Sequence, residues 1–200
     1  GRLLLENEVK PAEVWVEITA AADLKRGAYE ISVVGANGES GKIQIHVDDL
    51  PQIYPFGQSA SRLAIRELPA SVWGVHQKSG DTEEFSFDAK AGQTLTFDVA
   101  GKSLGSKADT VLTLLDAQGK VIASNNGFDG DADPFLAHTF SADGRFVVRV
   151  NELLLASSLD HFYRLSIGEL PYVTACFPLT VAAGSEAEVE LIGYNLPEQH

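Results

Sequence analysis

Short runs in which apolar and polar residues alternate recur along this chain: EVWVEI (13–18), YEISVV (29–34), KIQIHV (42–47), EFSFD (84–88) and TLTFDV (94–99). A side-chain period of two sends alternate residues to opposite faces of an extended strand, so each run predicts a half-buried β-strand. TVLTLL (110–115), KVIAS (120–124), FLAHTF (135–140), RFVVRV (145–150), FYRLSI (162–167) and EVELIG (188–193) continue the pattern, and no segment keeps a 3.6-residue period. The chain therefore reads as all-β. Asn37-Gly38, AGQ (91–93), AQG (117–119) and ADG (142–144) supply the turn chemistry of hairpins between these runs, which predicts mostly antiparallel neighbours.

Two linkers resemble each other. IQIHVDDLPQIYPFG (43–57) and YRLSIGELPYVTACFPL (163–179) each end a strand, pass an acidic residue and enter Leu-Pro. They divide the chain into a partial module at 1–49, a linker at 50–70, a sandwich at 71–169, and a second linker with the start of another module at 170–200. Residues 71–169 have a normal length for a β-sandwich, whereas the flanks offer fewer strands than one needs.

The charge balance narrows the partners. With 28 acidic and 15 basic residues the formal net charge is -13, which repels phosphate backbones and anionic lipid surfaces. Nucleic acid is excluded as the expected ligand, and no apolar run approaches the roughly 20 residues of a membrane-spanning helix. A single cysteine, Cys176, rules out an internal disulfide framework and a multi-cysteine zinc site. The chain opens on GRLLLENEV and contains no methionine, which reads as a segment of a longer protein.

Catalytic constellations find no support in the sequence. GANGESGK (35–42) lacks the spacing of a phosphate-binding loop and reads as a hairpin turn. There is no G-x-S-x-G elbow, the histidines are scattered, and His138 alternates with Leu136 and Phe140 as a histidine in or beside a core does. Glu83 and Glu84 point to opposite faces of one strand, a poor arrangement for opposed carboxylates.

NNGFDGDADPF (125–135) sets Asp129, Asp131 and Asp133 on alternate positions. An EF-hand counted from Asp129 needs glycine at its sixth position and glutamate at its twelfth, where this chain has Pro134 and Phe140. Two readings of the loop stand. It is either a solvated segment held by Asx-turns, or part of a looser calcium site in which Asp129, Asp131 and Asp133 meet Asp81 and Glu83 at one end of the sandwich, where converging carboxylates would need a cation.

GDTEEFSFDAKAGQTLTFDV (80–99), SKADTVLTLLDAQGKVIASNN (106–126), DPFLAHTFSADGRFVVRV (133–150) and FYRLSIGELPYV (162–173), in that order, resemble the bacterial pre-peptidase C-terminal domain in the form found in modular envelope proteins of planctomycete-like bacteria. The resemblance covers about half of the chain; RGAYEISVVGANGES (26–40) and VAAGSEAEVELIGYNLP (181–197) resemble parts of immunoglobulin-like transcription-factor-type modules. It implies a jelly-roll-like antiparallel β-sandwich flanked by partial immunoglobulin-like segments, a secreted or cell-envelope location and no activity of its own, in a family of which some members bind calcium. Glu83, Trp73 and His138 depart from the family pattern. The function expected is a noncatalytic binding or spacer module serving other domains of the same protein or an extracellular glycan or protein. The alternatives are an accessory domain of a secreted hydrolase, such as a peptidase, whose catalytic domain lies elsewhere, and a calcium-dependent adhesin.

Overall fold

A computed structural model describes residues 2–4, 15–54, 63–127 and 133–197. The chain divides into two compact units, Gly1–Asp49 and Leu50–His200. In the first, β1 (Arg2–Leu4) pairs with β2 (Trp15–Glu17), β3 (Gly27–Ile31) with β6 (Ile43–Val47), and β4 (Val34–Gly35) with β5 (Gly38–Glu39) across the expected Asn37-Gly38 turn. These are three separate two-stranded ribbons. Val34 and Ile43 stay exposed on them.

The second unit is a sandwich of two five-stranded sheets. One sheet joins β13 (Val121–Asn125), β12 (Thr110–Leu115), β15 (Gly144–Glu152), β10 (Thr82–Ala89) and β8 (Leu63–Ala64), in that order. The other joins β14 (Phe135–Thr139), β11 (Thr94–Ala100), β16 (Phe162–Gly168), β9 (Ala70–Val75) and β7 (Gln52–Ile53). A further ribbon, β17 (Tyr172–Phe177) with β18 (Glu190–Tyr194), follows. The fold is all-β, and among the described residues no helix is long and apolar enough to cross a membrane.

Alternation accounts for the core. Phe85 and Phe87 from β10, Leu112 and Leu114 from β12, and Val148 and Val150 from β15 face Leu95, Phe97 and Val99 from β11 and Tyr163, Leu165 and Ile167 from β16. Each such side chain, removed from water, stabilises the fold by about 1.5–3 kcal/mol relative to an exposed position. Phe87 sits among Phe97, Phe140 and Phe146 with ring centroids 5.5, 6.1 and 6.2 Å away, and His138 lies half-buried beside this group, edge-on to Phe140 at 4.8 Å.

The sandwich draws strands from the segment expected to be a linker, residues 50–70. Leu63–Ala64 pairs in parallel with Phe85–Ser86, Ile65 is buried, and Gln52–Ile53 pairs in parallel with Ser71–Val72. β9 also departs from simple alternation. Ala70, Ser71 and Val72 are all buried, so a strand covered on both faces carries no period-two signature.

Candidate functional site

One end of the sandwich gathers most of the polar side chains that the sequence singles out. There β9 and β15 finish while β10, β12 and β16 begin, as the pairings Thr82↔Asn151, Thr110↔Glu152 and Phe162↔Val75 require. Glu83 shares strand parity with Phe85 and Phe87, so its carboxylate turns inward at the end of the core. It accepts a short hydrogen bond from the Tyr163 hydroxyl. Burial raises the Glu83 pKa above its ordinary value near 4.5; the Tyr163 hydrogen bond opposes that shift and Asp81 adds to it. Burial, and then the Glu83 charge and hydrogen bond, push the Tyr163 phenol well above its ordinary range, so it remains a donor.

Tyr163 is fully buried because β9 makes room for it. It stands opposite Gly74, and a Cβ on that glycine would lie 2.3 Å from the ring Cζ. The ring also stacks on His76, with centroids 5.2 Å apart and planes at 30°. His76 has no solvent exposure, and neither of its ring nitrogens has a hydrogen-bond partner among the described residues. Its backbone instead pins the β15–β16 loop: His76 N–H donates to His161 O at 2.9 Å, and Ser158 N–H donates to His76 O at 3.1 Å. Glu152 holds the same loop by accepting from Ala156 N–H at 2.7 Å, and it also accepts from Asp109 N–H, just before β12, at 3.2 Å. Above these anchors Leu153, Leu154, Leu155 and Leu159 are exposed.

Asp133 has a different role from Glu83. Its two oxygens accept from Lys102 N–H at 2.8 Å, Ser103 N–H at 2.9 Å and the Ser103 hydroxyl at 2.6 Å, capping the 3-10 turn Lys102–Leu104 from across the fold. Those N–H groups are orphans of any helical start, and a carboxylate is a fitting acceptor for them. Asp81 accepts from Lys78 N–H at 2.7 Å within its own turn. Asp129 and Asp131 lie outside the described residues.

The described members of the expected calcium set are thus at the same end of the sandwich, but each is engaged by a protein donor. Among the described residues no three His, Cys, Asp or Glu side chains are placed to hold a metal ion. Asp133 faces the 3-10 turn, Glu83 faces the core, and Asp81 closes a loop. The inward turn of Glu83 was available from its parity with Phe85; the cap made by Asp133 joins residues 30 apart and leaves no local signature.

A shallow groove of about 340 Å³ lies on the outer face of the β10–β15–β12 sheet. Arg149 grips Glu84 Oε1 through Nε at 3.0 Å and Nη2 at 2.7 Å, and Arg145 Nη2 donates to Ser86 Oγ at 3.2 Å. Leu115 and Val147 supply an apolar part of its lining. On the opposite outer face Trp73 Nε1 donates to Gln52 Oε1 at 2.8 Å, and the Arg164 guanidinium lies 6.0 Å from the Trp73 ring.

No family model matches the chain. No curated protein matches it either. Among solved structures, the pre-peptidase C-terminal domain of collagenase from Bacillus anthracis is similar with a TM-score of 0.45 at 11% identity, over 56% of this chain and 99% of that one. PliG from Aeromonas hydrophila, a periplasmic inhibitor of g-type lysozyme, is similar with a TM-score of 0.38 at 19% identity, over 54% of this chain and 97% of that one. The Yersinia pseudotuberculosis-derived mitogen gives 0.35 at 18%, over 62% and 96%.

Two predictions arise from this end of the sandwich. Asp133→Ala strands three donors and is expected to cost about 1–3 kcal/mol, read as a lowered urea midpoint with an unchanged slope. The second concerns pH. Burial lowers the His76 pKa below its ordinary 6.5 against the opposing pull of Glu152 and Asp81, with His161 adding to the lowering. The unfolded chain therefore binds this proton first, and the His76 contribution, present above about 6.5, is lost as pH falls through the lowered folded value. Glu83 runs the other way: its contribution is complete below about 4.5 and is lost as pH rises through its raised folded value. Denaturation of the parent and of His76→Leu from about pH 8 to pH 5 should show a loss of stability as pH falls below about 6.5 that the variant lacks.

Proposed function

We propose that the chain is a noncatalytic module of a secreted or cell-envelope bacterial protein, which binds an extracellular glycan or protein, or spaces other domains of the same protein. The supporting observation is how its polar groups are deployed. Glu83, Glu152 and Asp133 are held by donors of the fold itself, while the outer sheet face carries an open groove lined by the Glu84–Arg149 pair, Arg145 and Ser86. Such a face suits recognition of a surface or an extended polymer. It offers no opposed acid and base around an enclosed substrate.

Purified chain incubated with glycan and collagen arrays, with and without calcium, is expected to bind saturably without cleaving what it binds. Release of peptide or sugar fragments by the purified chain, abolished by carboxylate substitution, would overturn the reading. Calcium has its own readout. A melting midpoint that rises with excess calcium and falls with chelator supports a calcium site, and loss of that shift in Asp129→Ala with Asp131→Ala would attach it to the 125–135 loop; a midpoint indifferent to both removes calcium from the proposal.

A further inference from the structure

The segment that leaves the sandwich is tied to it by hydrogen bonds at Glu169 and Leu170. Linkers between domains are by default the flexible part of a modular chain. Here Glu169 accepts from Gln93 Nε2 at 2.7 Å, and the Leu170 carbonyl accepts from Thr96 Oγ1 at 3.2 Å and Asn195 Nδ2 at 3.3 Å. Pro171 then fixes its own φ. The same Asn195 amide donates to Thr94 O at 3.0 Å, so one side chain joins the end of β18, the linker and the first residue of β11. Asn195 reaches both carbonyls from a left-handed backbone conformation, φ 50°, which asparagine tolerates better than most residues.

Rings close the other side of the junction. Phe135 at the start of β14 stacks on Tyr172 at the start of β17, with centroids 3.7 Å apart and planes at 18°, and Tyr194 of β18 lies 6.0 Å from the same ring. Both strands of the ribbon are therefore held, one through Tyr172 and the other through Tyr194 and Asn195. Gly193 permits the close pairing between them, since a Cβ there would fall 1.9 Å from the Tyr172 carbonyl oxygen.

We propose that the β17–β18 ribbon and the sandwich form one rigid lever, locked by the Asn195 amide and the Phe135–Tyr172 stack, so that whatever the ribbon carries is held at a fixed angle to the sandwich. Its use as a spacer rests on the function proposed above, whereas the rigidity does not. The test reads geometry alone. In a Cys176→Ser background, spin labels at Gln118→Cys on the sandwich and Glu188→Cys beside β18 report one distance by pulsed electron resonance. The parent is expected to give a single narrow distribution. Asn195→Gly keeps access to the left-handed backbone and deletes the amide, and together with Tyr172→Ala it should widen the distribution at least about twofold, while circular dichroism shows the sandwich intact. A parent distribution already as broad as that of the double variant would overturn the lever. A distribution that stays narrow in the folded double variant would overturn the assignment of the lock to these residues. Neither result depends on the binding arrays, so failure of the lever and failure of the proposed function remain separable.

Discussion

Replacing Tyr163 with alanine is expected to lower the unfolding free energy by about 3–5 kcal/mol, measured by urea denaturation at neutral pH. Three losses combine. The largest fully buried side chain among the described residues leaves a cavity, His76 loses the ring it stacks on, and the Glu83 carboxylate loses its donor while still turned inward. Tyr163→Phe isolates the last of these. It keeps the ring, removes the hydroxyl, and should cost about 1–3 kcal/mol where Glu83 is charged. Because the hydroxyl favours the charged carboxylate, this cost should shrink as pH falls and Glu83 takes up its proton. A cost that does not change with pH would mean that the hydroxyl does not act through Glu83.

Gly74→Ala is the second large effect, and its sign depends on Tyr163. In the parent the new methyl would stand 2.3–2.5 Å from the Tyr163 ring atoms, and that ring is held by full burial, the His76 stack and the Glu83 hydrogen bond. Overpacking of this kind costs about 1–3 kcal/mol. With Tyr163→Ala already present the obstruction is gone. Alanine in a strand interior is then better than glycine by about 0.5–1 kcal/mol, so the same substitution should stabilise that background. A double-mutant cycle measures the difference directly. Additive effects at the two positions would show that the ring and the glycine do not form one packing unit.

The strands rich in Val, Ile, Phe and Thr were legible in the sequence because their apolar residues recur at a period of two, and TVLTLL became β12 over the same residues. Three sandwich strands were not legible, for definite reasons. Gln52–Ile53 and Leu63–Ala64 are too short to display any period, and Ala70–Val75 is covered on both faces around a glycine that admits Tyr163. The carboxylates divide in the same way. That Glu83 faces inward follows from its spacing to Phe85 and Phe87, an inference open to anyone counting by twos. That its partner is Tyr163, 80 residues on, follows only from the way β16 lies against β9 and across from β10. The alternate spacing of Asp129, Asp131 and Asp133 invites a metal reading, but the Asp133 carboxylate points to Lys102 and Ser103, whose need for an acceptor arises from a turn with no sequence signature. His76, Gly74 and Tyr163 likewise belong to one cluster only in three dimensions.

The two short parallel strands β7 and β8 lie at the outer borders of the two sheets, one beside β9 and the other beside β10. A bare border of a sheet offers unpaired N–H and C=O groups to any extended chain that drifts past, and is a common starting point for aggregation. Here the segment leading into the sandwich occupies both borders itself: the Ser71 N–H donates to Pro51 O at 2.9 Å and the Ile65 N–H to Ser86 O at 2.8 Å. A chain shortened to begin at Ser71 would keep nearly all of the core and lose both guards at once. Cover for these two sheet borders thus rests on two pairs of residues, Gln52–Ile53 and Leu63–Ala64, that lie outside the fully buried core.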